Sequence, residues 1–154
     1  MSADQKQMES SKLLHPDLTE KIIGIYYDVY NELGHGFLES VYRNCMQIAL
    51  SQAGLSVQRE FPVPVWFRNQ EVGQFRADLL VENLVLLELK AVQSLDRSHE
   101  AQLLNYLRAT QLEVGLLLNF GSSKPQFRKI VFENAKKKIR AHPRESAVGG
   151  FSGV

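Results

Sequence analysis

Two carboxylates and a lysine, Asp78, Glu88 and Lys90, stand in RADLLVENLVLLELKAV, a stretch otherwise built largely of Leu, Val and Ala. An ionised group taken out of water loses several kcal/mol of hydration unless a partner replaces it, so charges in such a setting need a reason. Two converging carboxylates are best matched by a divalent cation, and a lysine beside them suits a phosphate or a nucleophilic water. Lys90 lies two residues beyond Glu88, so on a strand both project to one face. Leu84 and Leu86 share that face, which favours an inward position over a surface ion pair or a lysine snorkelling at a strand end.

These residues must be positioned by a hairpin, and its register can be worked out in advance. A two-residue turn at Glu82-Asn83 would pair Asp78 with Leu87 and send the two carboxylates to opposite faces. Bringing them together requires an odd-length loop centred on Asn83, or a bulge, with Asp78 opposite or near Glu88. Carboxylates on opposite faces would end the metal hypothesis.

Around the hairpin the hydrophobic period changes twice. Asp17 precedes Glu20 by three residues in the manner of a capping box. Leu18, Ile22, Tyr26, Val29 and Leu33 then follow at helical spacing up to the Gly34-His35-Gly36 breaker. A second helix is expected from about Phe37 to Ala53, with Leu38, Val41, Cys45 and Ala49 as its apolar stripe and Gly54 closing it. From there the period is two. Ser56 to Phe61 and Val63 to Arg68 read as strands, with Pro62 and Pro64 marking an edge or an irregular crossing. Asn69-Gln70 makes a turn into Val72 to Val81, and Leu84 to Ala91 is the most apolar strand. Asp96 or Ser98 can cap a helix to about Ala109, and Val114 to Phe120 is a continuous apolar run of the kind covered on both faces. Lys129 to Phe132 adds a further strand. The expected fold is an α/β sandwich with a central mixed sheet, an antiparallel meander plus a parallel strand after a crossover helix, flanked by helices.

At 154 residues the chain is most simply one domain, able to bury about two-thirds of its surface. It divides into a flexible arm at 1–15, a domain at 16–133 and a basic, disordered tail at 134–154. A single cysteine, Cys45, excludes an internal disulfide framework and a Cys-cluster zinc site, and is expected as a buried, reduced thiol. No apolar run reaches the ~18 residues of a membrane span. The polar, mixed-charge start MSADQKQMESSK is not a secretory signal, so the cytoplasm is the expected compartment. The net charge of +1 hides a division: −5 up to residue 121 and +6 beyond it. A basic end can meet a nucleic-acid backbone, although KKK runs are also common at solvated helix ends.

The D…ExK pattern of Asp78, Glu88 and Lys90 is the active-site signature of the PD-(D/E)XK nuclease superfamily. Gly36-Phe37-Leu38-Glu39-Ser40-Val41-Tyr42 is a GxxExxY string. With RADLLVE, ELKAV, QLLNYL at 102–107 and GLLLNFG, it resembles the GxxExxY protein family of that superfamily, from about Leu18 to Phe132. Ala77 stands where the superfamily's name has proline, a departure at a residue that only shapes the strand.

The resemblance implies a restriction-endonuclease-like fold and a Mg²⁺-dependent nuclease, with Mn²⁺ as a possible substitute, hydrolysing phosphodiesters by metal-activated water. Asp78, Glu88 and the backbone carbonyl of Leu89 would be metal ligands, and Lys90 would orient or deprotonate the water or stabilise charge on the phosphorane. Glu39 would close the metal site from the second helix; its plain alternative is an i,i+4 pair with Arg43. Tyr42 would pack or hydrogen-bond behind Glu39. Gln102 and Tyr106, four apart on one helix face, would bond the lysine, a metal-held water or a phosphate oxygen, or else simply face solvent. His99 would assist or cap its helix, and Glu60 is a further carboxylate not expected to be a ligand. The expected partner is nucleic acid, DNA or RNA, with a homodimer or protein partner left open and no membrane. A different class also fits: a binding or scaffold protein that keeps the fold without useful turnover, in line with the acidic main body. No phosphate-cradling glycine loop, HExxH or Ser/Cys nucleophile with an evident base competes.

Overall fold

The computed structural model describes residues 14–137, so most of the arm assigned to 1–15 and of the tail assigned to 134–154 lies outside the described residues. The elements are α1 (Pro16–Leu33), α2 (Glu39–Gln52), β1 (Val57–Phe67), β2 (Gln70–Val81), β3 (Val85–Lys90), α3 (Arg97–Arg108), β4 (Val114–Asn119) and β5 (Gln126–Val131). A short 3-10 turn follows at Asn134–Lys136. Beyond it, the Lys137 ammonium donates to the carbonyls of Thr110 and Leu112 at 2.9 and 2.6 Å.

The five strands lie in sequence order. β1, β2 and β3 form the expected antiparallel meander, β4 joins β3 in parallel after α3, and β5 is antiparallel to β4. One face carries α1 and α2, where Ile22, Tyr26, Tyr42 and Met46 meet Leu79, Leu87, Leu89 and Leu116. The other carries α3, where Leu103 and Leu107 meet Leu80, Leu86 and Leu117. β4 is buried along its whole length, as its unbroken apolar run requires. Burial of each such leucine contributes roughly 1.5–3 kcal/mol, which holds the middle of the sheet rigid beneath the charged residues.

Several local expectations are corrected. α1 starts at Pro16, whose missing N–H suits the first helical position, so Asp17 sits in the first turn and forms no capping box. α2 buries Tyr42, Met46 and Leu50, with Cys45 and Ala49 half-buried on the flank and Leu38 77% exposed. The stripe is rotated by one residue because the large side chains, Tyr42 and Met46, take the deepest positions. β1 is one strand, not two. Pro62 and Pro64 pair with Arg76 and Gln74 on an edge strand, where a missing donor can face the open side. The β1–β2 turn is Arg68-Asn69, one residue earlier than expected, with both residues in the left-handed region (φ 49° and 64°) as a two-residue hairpin of the primed kind needs.

Candidate active site

The β2–β3 connection has the odd length that the chemistry demands. Leu79, Leu80 and Val81 pair with Leu87, Leu86 and Val85, leaving Glu82, Asn83 and Leu84 as a three-residue loop centred on Asn83. Glu82 and Asn83 are left-handed at φ 54° and 55°. Continuing the register sets Asp78 opposite Glu88, but there the backbone ladder stops. The Asp78 N–H donates to Glu88 Oε1 at 2.9 Å, and the Leu89 N–H donates to Asp78 Oδ2 at 2.8 Å. Each carboxylate thus occupies a backbone donor beside the other, and the pair is locked together.

The ladder breaks here because the β1–β2 ribbon turns over. Leu79 and Val81 pack with α1 and α2, whereas Ala77, two residues away, packs with Val63 in the layer under α3. On a regular strand such neighbours share a face. Pairing likewise skips from Arg59–Leu79 to Phe61–Ala77, and the residue between, Glu60, has φ 49°. Asp78 therefore sits at the crossing, where its carboxylate reaches both layers. Oδ1 accepts from Arg43 Nη1 of α2 at 3.2 Å, while Glu88 and Lys90 follow Leu86 onto the α3 side.

On that side a relay of hydrogen bonds holds the lysine. Lys90 Nζ donates to Gln102 Oε1 at 2.8 Å, and Gln102 Nε2 donates to the Tyr106 hydroxyl at 3.2 Å. Lys90 Nζ also lies 3.9 Å from Glu88 Oε2. Gln102 and Tyr106 share a face because they are four apart on α3. α3 is fixed at its start by a capping box: Asp96 accepts from the Ser98 and His99 N–H groups, and His99 Nδ1 accepts from the Asp96 N–H. His99 is thereby used as a cap.

The GxxExxY string acquires a structural meaning. Gly36 has φ 118°, a conformation that favours glycine, and lets the chain turn sharply between α1 and α2. The Tyr42 hydroxyl donates to Gly34 O at 2.6 Å and accepts from the Phe37 N–H at 3.2 Å, while its ring stacks on Phe120 at 4.2 Å. Tyr42 thereby ties down the corner from which Glu39 emerges. Glu39 opens α2, is solvent-exposed, and its carboxyl is held above the ordinary range by partial desolvation and then by the charge of Asp78. Lys90, Arg43 and His99 oppose that shift. Glu60 faces Arg76 at 3.7 Å on the exposed edge.

Arg43, offered from sequence only as the alternative i,i+4 partner of Glu39, instead pairs with Asp78, 35 residues further along the chain. Asn119 was missed altogether. Fully buried, it accepts from the Val92 and Gly121 N–H groups through Oδ1 and donates to Val92 O through Nδ2. It thereby pins the chain just past Lys90. Gly121 completes that support, since a Cβ there would lie 2.3 Å from Val92 N.

Burial, and then the charge of Asp78, push the Glu88 carboxyl up to about 8, against the Asp78 N–H bond and Lys90. Two adjoining carboxyl groups, one of them deeply buried, are a setting that a divalent cation fits, and their oxygen donors suit a hard ion such as Mg²⁺. Among the described residues no three His, Cys, Asp or Glu side chains are grouped as a metal cage. Two carboxylates are nevertheless the usual complement for Mg²⁺, which tends to keep waters and to take substrate phosphate oxygens.

A family model described as the PD-(D/E)XK nuclease superfamily matches residues 16–130. No curated protein and no solved structure matches the chain. The chain belongs to the PD-(D/E)XK nuclease superfamily, and the mixed five-stranded sheet with three helices among the described residues accords with the restriction-endonuclease-like fold.

Proposed function

Starting from that membership, we propose that the protein is a Mg²⁺-dependent nuclease, able to use Mn²⁺, of the GxxExxY branch of the superfamily. The observation that carries this is the cross-bonded Asp78–Glu88 pair with the Lys90–Gln102–Tyr106 relay beside it. A bound ion, held by Asp78, Glu88 and the Leu89 carbonyl, would supply Lewis acidity toward a phosphate oxygen and activation of the attacking water. The chain's own residues do the rest. Lys90, fixed by Gln102, presents a preorganised ammonium to the attacking water and to charge developing on the phosphate. Tyr106 keeps the Gln102 amide oriented so that its oxygen, not its nitrogen, faces the lysine. Glu39 adds a carboxylate at the mouth, where it can hold a water. No helix among the described residues is long and apolar enough to cross a membrane.

One observation favours a binding protein without turnover: the Arg43 guanidinium already sits on Asp78 Oδ1. Cleavage of labelled single- and double-stranded DNA and RNA with Mg²⁺ or Mn²⁺ decides between them. Cleavage by wild type and not by Lys90→Ala supports the nuclease and identifies its substrate. No cleavage by folded wild type at high concentration supports the binding protein.

A further inference from the structure

Beside the relay lies a pocket of about 520 Å³, between α3 and the far half of the β1–β2 ribbon. Its volume falls within the roughly 300–1,000 Å³ typical of small-ligand sites. Gln102 and Tyr106 line it, so it is continuous with the site that holds Lys90. Ala101 and Ala109 add apolar wall, and Phe75 packs against Tyr106 at its side, ring centroids 6.0 Å apart. Phe75 is 50% exposed, so one face of its ring is open to a ligand. None of the lining side chains is charged, and Asn105 and Gln102 bring amide groups to the wall.

We infer that this pocket receives an unpaired nucleobase adjoining the scissile phosphate, so that the substrate is single-stranded or has a splayed nucleotide there. This rests on the nuclease function proposed above and adds the substrate class. An uncharged, aromatic-walled cavity with amides suits a flat heterocycle carrying donors and acceptors at its edge, and offers a phosphate nothing. Bases inside a duplex have both faces covered and cannot stack on Phe75, whereas an unpaired base can. The ribbon continues the pattern toward its turn: Phe67 is exposed, with the Arg68 guanidinium 4.9 Å over its ring. Aromatic platforms interleaved with cations are how proteins follow single strands.

The test uses a short DNA strand carrying one 2-aminopurine, free or annealed to its complement, titrated with protein in EDTA and followed by fluorescence. Wild type is expected to bind the free strand more tightly than the duplex and to change the 2-aminopurine signal. Phe75→Ala should weaken binding of the free strand by about tenfold, the order of one lost stacking contact, and leave duplex binding unchanged. Phe75→Trp should restore it. Phe75 is half exposed, so these variants should fold, which circular dichroism checks. Equal binding of strand and duplex, or indifference to Phe75→Ala, overturns the pocket assignment. Calorimetry with Mn²⁺ separates the two claims. Metal-dependent cleavage unaffected by Phe75→Ala would sink the pocket and uphold the nuclease; Phe75-dependent strand binding without any metal binding would do the reverse.

Discussion

Replacing Glu88 by glutamine should make the metal-free protein more stable, and by an amount that depends on pH. Glu88 is 5% exposed, and its folded pKa of about 8 lies well above the unfolded value of 4.5. Between these values the folded state binds more protons than the unfolded one, so stability falls as pH rises. The contribution is intact below the unfolded value and is lost progressively until the pH passes the folded one. Each unit costs 1.36 kcal/mol, so from 4.5 to pH 7 the loss is about 3 kcal/mol. Glu88→Gln cannot ionise, and its Oε1 can still accept from the Asp78 N–H. In EDTA at pH 7 the variant should therefore exceed wild type by roughly 2–3 kcal/mol, a rise in Tm of about 6–9 °C. At pH 5 the two should agree to within about 1 kcal/mol by the same linkage. Adding Mn²⁺ should raise the Tm of wild type and leave that of Glu88→Gln nearly unchanged. Urea or thermal unfolding at both pH values measures all of this. A variant no more stable than wild type at pH 7, or a gap that does not grow with pH, would refute the claim that Glu88 is a strained buried carboxylate.

Other substitutions probe other parts of the site. Lys90→Ala should lower the cleavage rate by about 10²–10³-fold, the usual effect of losing one preorganised charge-stabilising group, with only a small change in Tm. Arg43→Met removes the guanidinium from Asp78 Oδ1 and should tighten Mn²⁺ binding several-fold in calorimetry; weaker binding would mean that Arg43 supports the site instead of competing for it. Gly121→Ala forces a carbon to within 2.3 Å of Val92 N and should cost roughly 1–3 kcal/mol in urea unfolding, as overpacking does. Because Val92 follows Lys90 so closely, cleavage should fall as well.

The parts legible in sequence were those dictated by period or by charge. The unbroken apolar run of β4 announced a strand covered on both faces, and the D…ExK spacing required an odd β2–β3 loop, which is the loop found. What escaped were features decided by tertiary partners. Asp17 had the spacing of a cap, but Pro16 took the first helical position. Arg43 had a helical neighbour of opposite charge at the right spacing, yet a buried carboxylate is a stronger attractor than an exposed one. Asn119 was passed over inside the Val114 to Phe120 run; only the packed loops around Val92 and Gly121 reveal what it bonds.

The turnover of the ribbon at Glu60 and Asp78 was equally hidden, because a left-handed glutamate has no sequence signature. It is nonetheless the feature that makes the site possible. A regular ribbon would keep Leu79 and Ala77 under one layer, pair the Asp78 N–H with a strand carbonyl and point its carboxylate to a single side. By crossing between layers, the chain frees two backbone donors for Glu88 and Asp78 and carries the far half of the ribbon beneath α3. The crossing thus sets the acidic pair against the lysine relay and sets Phe75 beside Tyr106. A left-handed non-glycine residue costs roughly 1–3 kcal/mol. Glu60→Gly should therefore relieve strain, offset in part by glycine's greater unfolded entropy, and leave Mn²⁺ affinity unchanged. If instead the substitution weakened metal binding, the glutamate side chain itself, with its Arg76 partner, would be holding the crossing in place.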